Sequence, residues 1–370
     1  MKVLTIGLEW FHDNPGGAGR YMADAAAGLA ARGHEVTVVV PRLRPQDPLE
    51  ENVNGIKLRR FTTPRGPARL FGAMQAIKPI LAEQGPFDAV HSHHAFFSAV
   101  PLWHPSLAGI PHVCQFQGPW AGESKVEGLN HQAKYWIERA AYARCDRFIV
   151  LSGGFKDLLA RDYGVDPAKI SVVPAAVDLE RFKPADRAAV RAELGWEDGP
   201  VVFVMRRLVK RMGLEILLDA FASVPIGRLV FGGTGPLEAD LKAQAERLGL
   251  GHRVRWAGRL SDEDLVRHYQ AADLTVVPTI ALEGFGLVTV ESLACGTPVV
   301  GTHEGGTREI LEGFRPDMLV PPGDAPALAA KLTAYLQGPR PTQAECRAYA
   351  EAQYAWPRVL ARLETELAGG

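Results

Sequence analysis

The chain has little cysteine, no long apolar run and almost no net charge, and each shortage removes a class of protein. Its four cysteines, Cys114, Cys145, Cys295 and Cys346, are scattered through 370 residues. With no Cys-x-x-Cys spacing they read as free thiols of a reducing cytosol rather than as a disulfide frame or metal site. No stretch approaches the ~18 apolar residues of a spanning helix. The opening run Lys2-Val3-Leu4-Thr5-Ile6-Gly7 turns polar at Glu9, too soon for the apolar core of a signal peptide, so a cytoplasmic location is expected. A formal net charge of -1 argues against nucleic-acid binding, which leaves a basic footprint. The first half is mildly basic, which would suit a lipid surface or an anionic acceptor.

What is present is the mix of a soluble globular protein, 47% hydrophobic and 22% charged, in a length suited to two domains. Short β-branched runs recur at Val3 to Ile6, Val36 to Val40, Ala89-Val90, His112 to Phe116, Phe148 to Leu151 and Ser171 to Val173. Between them lie helical patterns such as Ala18 to Arg32, with Tyr21, Met22, Ala25 and Leu29 on one face and Gly33 as a left-handed stop. The alternation restarts at Val201 to Met205 and continues through Leu229 to Phe231, Val254 to Trp256, Leu274 to Val277, Pro298 to Val300 and Met318 to Val320. Two separately wound, mostly parallel α/β sheets follow. The seam is expected at Pro174 to Pro184, giving domains 1–175 and 176–342. A helix over about 343–368 is expected to pack back across the junction. Ligands of such sheets bind at the carboxyl ends of the strands, so two facing sheets would suit a two-substrate reaction.

The sharpest local feature is Glu283-Gly284-Phe285-Gly286-Leu287-Val288-Thr289-Val290-Glu291. A helix beginning near Gly286 would offer free N–H groups and partial positive charge to a diphosphate. Glu291, in its third turn, would suit a ribose diol, and Glu283 would lie beside a sugar ring. Two glutamates around a glycine turn are by themselves an ordinary surface arrangement; the rest of the chain decides the matter. The segment, continued as Ser292-Leu293-Ala294-Cys295-Gly296-Thr297-Pro298, resembles the donor signature of retaining glycosyltransferases of family 4. Gly16-Gly17-Ala18-Gly19-Arg20, Gly33-His34-Glu35-Val36, Val172-Val173-Pro174 through Arg181-Phe182 and Gly232-Gly233-Thr234-Gly235-Pro236 are similar to further segments of that family, although Ala175-Ala176 replaces the usual Asn-Gly.

The resemblance implies the GT-B fold, two Rossmann-like doubly wound domains facing a cleft. It also implies transfer of a hexose-type sugar from a UDP-, GDP- or ADP-sugar, with retention and without a metal or other cofactor. Glu291 would bind the ribose, Glu283 a sugar hydroxyl, and the N–H groups of Phe285, Gly286 and Leu287 the sugar and phosphate. Gly16 and Gly17 would meet donor phosphate or acceptor, and Gly258, Arg259 and Leu260 the base. Charge accumulates on the departing diphosphate, so cations lower the barrier. Arg206-Arg207-Leu208-Val209-Lys210-Arg211-Met212-Gly213 looks like the family's Arg and Lys segment. Arg207 matches its Arg; Met212 stands where the Lys is common, and Arg211 is the expected substitute, with Arg206 beside the donor.

Gln117 replaces a His that the family often places beside the transferring sugar. An amide can hydrogen-bond a hydroxyl but cannot carry a proton, so no acid or base is expected there. The Gly17-x-Gly19 pattern lacks a third glycine at Met22 and makes a poor nicotinamide site.

His91, His93 and His94 form a cluster without accompanying carboxylates, and no metal is expected. Asp262-Glu263-Asp264 reads as the acidic first turn of a helix capped by Ser261. Arg65 to Gln84 has the pattern of an amphipathic helix that would serve either the core or peripheral membrane contact. The acceptor is not legible in the loops around 42–70 and 118–132, nor is the oligomeric state. A nucleotide-sugar epimerase of the same fold and a non-catalytic sugar-nucleotide-binding module are the competing readings.

Overall fold

The computed structural model describes every residue except Pro15, residues 64–70, Glu197 and Gly370. The chain divides into two compact units, Met1–Ala175 with Trp356–Gly370, and Ala176–Ala355.

In the first unit the described residues form a sheet in the order β3-β4-β2-β1-β5-β6-β7-β8. The strands are β1 Lys2–Ile6, β2 Glu35–Pro41, β3 Glu50–Val53, β4 Ile56–Phe61, β5 Ala89–Ser92, β6 His112–Phe116, β7 Arg147–Val150 and β8 Ile170–Val172. All neighbours run parallel except β3 and β4. The central strands are buried along nearly their whole length, as expected where helices cover both faces. The β3–β4 hairpin is an addition to the expected strands. Asn54 and Gly55 sit at φ 52° and 87°, the paired positive dihedrals of a type I′ turn. Strand order reverses between β1 and β5, the switch point of this sheet.

The second sheet has the order β11-β10-β9-β12-β13-β14, all parallel. Its strands are β9 Val201–Met205, β10 Arg228–Gly232, β11 Val254–Gly258, β12 Leu274–Val277, β13 Val299–Thr302 and β14 Leu319–Val320. The core beneath them is apolar, with Val202, Val204, Leu217, Phe221, Leu229, Val276 and Leu332 among its buried members. Here the switch point lies between β9 and β12.

The expected single helix over 343–368 is two helices. Gln343–Tyr354 belongs to the second unit, and Trp356–Leu367 belongs to the first. The first of them opens with a capping box between Thr342 and Glu345. The second buries Val359, Leu360, Leu363 and Leu367. Leu360 fits over Gly28 of the helix Gly17–Ala31, where a Cβ would meet Leu360 Cδ1 at 2.6 Å. Glu364 receives Arg32 Nε at 2.6 Å and His34 Nε2 at 2.9 Å. The break falls at Ala355, which is extended at φ -68° and ψ 138°; Pro357 has no N–H to continue a helical ladder, and its ring would clash with the Gln353 carbonyl in an unbroken helix.

Of the amphipathic stretch, Arg65, Arg69 and Leu70 lie outside the described residues. The remainder forms the helix Gly72–Gln84, with Ala73, Ile77 and Ile80 buried in the unit and Lys78 exposed. Its apolar side is core. Among the described residues no helix is long and apolar enough to cross a membrane.

Candidate active site

The expected donor residues of the second unit converge on the β9/β12 switch point. Arg206 leaves the end of β9, and the loop holding Glu283 follows β12. Arg206 Nη2 donates to Glu283 Oε2 at 2.5 Å, with both side chains only 8% exposed. Thr279 Oγ1 donates to the same oxygen at 2.8 Å. A buried carboxylate is tolerable only with a cation and hydrogen bonds around it, and here both are supplied. Arg206 Nε is buried without a partner among the described residues.

The side chains of the basic segment lie in different surroundings. Arg207 matches the family's Arg, yet its side chain is exposed, and among the described residues it makes no ion pair. Arg206 is the buried cation of the site. Arg211 Nη1 donates to the Leu282 carbonyl at 3.1 Å, and its own carbonyl accepts from Ile280 N–H at 2.9 Å. Both contacts tie it to the loop that holds Glu283. Met212 is buried, with Sδ 3.9 Å from Thr279 Oγ1. A lysine there would have its stem in the core beside the Glu283 carboxylate.

Two glycine loops make the close approaches possible. Gly233 has φ +109°, and a Cβ there would collide with the Arg206 carbonyl. The loops after β9 and β10 are zipped by Arg206 N–H to Gly232 O and Leu208 N–H to Thr234 O, both at 3.1 Å. Gly233 N–H reaches Gly258 O at 2.7 Å, which brings the end of β11 to the same edge. Leu260 is half-buried beside Gly232, and Arg259 is exposed. The expected helix start at Ser261 is present, with Asp264 N–H donating to Ser261 Oγ at 3.0 Å.

Gly286 has φ +89° and caps the helix Leu287–Ala294. A side chain there would be strained and would collide with Thr307 Oγ1. No side chain caps this helix, and its first turn carries no acidic residue. The first-turn N–H groups of Leu287 and Val288 are therefore left without a side-chain cap, while Thr289 N–H turns back to the Gly286 carbonyl at 2.8 Å. Because the helix begins at Leu287, Glu291 falls in its second turn, one turn earlier than the pattern implied. Glu291 is buried, and Tyr269 O–H donates to its Oε2 at 3.0 Å. Burial, with the carboxylate beside it, pushes the Tyr269 phenol well up, so it remains a donor and fixes one oxygen of Glu291.

Thr279, Tyr269 and the segment Glu304-Gly305-Gly306-Thr307 were not anticipated. Glu304 Oε1 accepts from Leu282 N–H at 2.9 Å, and Gly306 N–H donates to Glu283 O at 3.1 Å. Leu282 is held at φ 58°, an unusual conformation for a residue with a side chain. The available signal was the Gly305-Gly306 pair, separated by two residues from the end of the strand Val299–Thr302.

In the first unit, Gly16, Gly17 and Gln117 meet at the β1/β5 switch point. Gly17 begins the helix Gly17–Ala31, which also lacks a side-chain cap. The preceding turn is pinned by Arg60, whose Nε and Nη2 bind Asp13 at 2.8 and 3.1 Å. Gln117 Nε2 lies 3.2 Å from Ala18 O and 3.3 Å from His93 Nδ1. His93 Nε2 in turn lies 3.2 Å from His91 Nδ1. Gln115 Oε1 accepts from Tyr21 O–H at 3.2 Å. Burial lowers His91 to about 4, His93 well below its usual value and His94 to about 4. His94 Nδ1 accepts from Phe96 N–H, capping a helical turn. Among the described residues no group of three or more His, Cys, Asp or Glu is placed to hold a metal ion.

The family model described as Glycosyltransferase Family 4 matches residues 15–181, and that described as Glycosyl transferases group 1 matches residues 186–353. The chain is 31% identical over 366 residues to D-inositol 3-phosphate glycosyltransferase 1 of Catenulispora acidiphila, covering 92% of this chain and 87% of that protein. Sucrose-phosphate synthase from Thermosynechococcus elongatus shares the fold with a TM-score of 0.84 at 24% identity, over 99% of this chain and 98% of that one. HepE of Anabaena, solved in complex with UDP and glucose, gives 0.82 at 22% identity over the whole of both chains. The fold is thus that of the GT-B glycosyltransferases, and the chain belongs to the glycosyltransferase family that these two models describe.

Proposed function

We propose that this glycosyltransferase moves a hexose from a nucleoside-diphosphate sugar to a hydroxyl acceptor with retention of anomeric configuration. The observation that carries the reading is Glu283, held by Arg206 and Thr279 beside an uncapped helix start at the switch point. Glu283 orients a hydroxyl of the transferring sugar. The N–H groups of Phe285, Gly286 and Leu287 hold the sugar and phosphate. Glu291, steadied by Tyr269, takes the ribose diol, and the base lies against Gly258, Arg259 and Leu260.

As the bond from the anomeric carbon to the diphosphate oxygen breaks, negative charge grows on the leaving group. The exposed Arg207 guanidinium and the helix N–H groups receive it; a metal has no part in this scheme. Arg206 supplies the buried cation that Met212 removes, while Arg211 holds the loop in place. Gly16, Gly17 and Gln117 enter this reading only through the family resemblance.

The HepE complex with UDP and glucose supports a UDP-sugar as the first donor to try. The name of the Catenulispora relative makes D-inositol 3-phosphate the first acceptor. The test is a panel of UDP-, GDP- and ADP-glucose with that acceptor and simple sugars, with products read by NMR. Transfer with the donor's anomeric configuration is expected. Inversion overturns retention, conversion of the donor without acceptor points to an epimerase, and neither binding nor turnover with any donor overturns the reading.

A further inference from the structure

The donor residues all follow the C-terminal ends of strands, yet the opposite edge of the second sheet holds its own concentration of charge. Asp273, directly before β12, is buried and accepts from Val201 N–H at 2.8 Å. Three guanidiniums surround it. Arg191 Nη2 lies 2.5 Å from Oδ2, Arg340 Nη2 lies 2.8 Å from Oδ1, and Arg187 Nη1 stands 3.6 Å from Oδ1. One carboxylate cannot neutralise three cations.

Nearby carboxylates are committed elsewhere. Asp186 accepts from the N–H groups of Ala188 and Ala189 at 2.9 and 3.4 Å. Glu345 accepts from the amide and hydroxyl of Thr342, both at 2.7 Å. Arg191 spends its remaining donors on the carbonyls of Ala271 and Gly199 at 2.8 and 3.3 Å. Arg187 differs from it. Among the described residues its guanidinium makes no hydrogen bond, and its Nε is buried without a partner. Burial lowers its pKa, the facing Asp273 opposes that, and Arg340 and Arg191 add to the lowering. A guanidinium stays protonated in proteins, so the depression reports a charge held where it is poorly compensated. An anion brought beside it relieves that.

There is room for one. A cavity of about 470 Å³ opens beside this cluster, lined by Arg187 and Arg340 with Asp186, Pro298, Thr342 and Gln343 among its walls. We infer that the cavity is an oxyanion site, separate from the donor site, in which Arg187 and Arg340 bind a phosphate or a phosphate monoester. Two forked donors on one side match the oxygens of such a group. The volume exceeds what phosphate fills, which leaves space for a small organic substituent over Pro298.

The test uses the full chain with its donor site saturated by UDP. Inorganic phosphate and glycerol 3-phosphate are titrated by calorimetry at constant ionic strength, with sodium chloride as the control. Saturable binding of one equivalent is expected, weakened at least tenfold by Arg187→Gln and by Arg340→Gln. Tighter binding of the monoester assigns the organic pocket, and equal binding assigns free phosphate. Arg187→Gln removes no hydrogen-bonded partner, so the variant should fold, and unchanged UDP affinity verifies that it has. Absence of saturable heat with both probes, or affinity unmoved in both variants, overturns the site.

Discussion

At the β1/β5 switch point of the first sheet the buried chain of histidines beside Gln117 is neutral, whereas at the β9/β12 switch point of the second the central buried pair is charged. The first unit strings His91, His93 and Gln117 into a chain of imidazoles and an amide. The second sets a guanidinium against a carboxylate, Arg206 on Glu283. Both satisfy buried polarity at equivalent places in related folds. A neutral network costs little while it stays unprotonated, but it fails when protons are forced onto it. An ion pair resists mild acid better and fails when either partner is removed. The two halves should therefore respond to different insults.

The largest effect is expected from Arg206→Ala, which leaves the Glu283 carboxylate buried without its cation. Loss of one partner of a buried pair costs about 3–5 kcal/mol, measurable by urea unfolding, with transfer activity falling about a thousandfold. Adding Met212→Lys to that variant sharpens the comparison. Part of both losses should return if position 212 addresses the same carboxylate, and none if Arg206 acts through shape alone.

Acid should act on the other half. His91 and His94 have folded values near 4, below the unfolded value of about 6.5. As pH falls below about 6.5 the unfolded chain takes up these protons first. Stability is therefore unaffected above that pH and declines between about 6.5 and 4, by on the order of 2–3 kcal/mol for each histidine. Melting temperature followed against pH should show the decline, and His91→Gln should flatten it. A profile flat down to pH 4 in the parent chain breaks the comparison.

Gly286→Ala should cost about 1–3 kcal/mol, since it forces a side chain into the left-handed region against Thr307. Activity should fall with it, because the helix start moves. The smallest structural effect belongs to Arg207→Ala. Removal of an exposed, unpaired side chain should change stability by less than about 0.5 kcal/mol. Loss of a charge that meets the leaving group should still lower kcat/KM about a hundredfold. Equal effects of Arg206→Ala and Arg207→Ala on unfolding would erase the distinction between the two arginines.

That distinction marks the limit of what the sequence made legible. The two sheets, most strands and the helix starts at Ser261 and near Gly286 follow from short-range pattern, because β-branched runs and caps act locally. Glu283, Glu291 and the glycines around them were singled out only through the resemblance of their segment to the family's signature. Which of two adjacent arginines turns inward was not. It depends on Gly233 letting the neighbouring loop close on the Arg206 backbone, a contact between separate strands. Tyr269 and Glu304 escaped notice likewise, since each matters through a partner 22 residues away; Thr279 did so because it meets Glu283, four residues on, only across an irregular loop. The β3–β4 hairpin was overlooked although Asn54-Gly55 announces it, its flanking residues being too charged to read as strand.

The break between Tyr354 and Trp356 bears on how the protein can be taken apart. A gene fragment ending at Ala175 would encode a first unit lacking the helix that covers Gly28, and would leave the seats of Val359, Leu360, Leu363 and Leu367 open to solvent. A fragment running from Ala176 to Ala355 would keep its own unit whole. The two halves are thus unequal as pieces of sequence: one is a continuous insert, and the other a host split around it, closed only by the segment Trp356–Gly370.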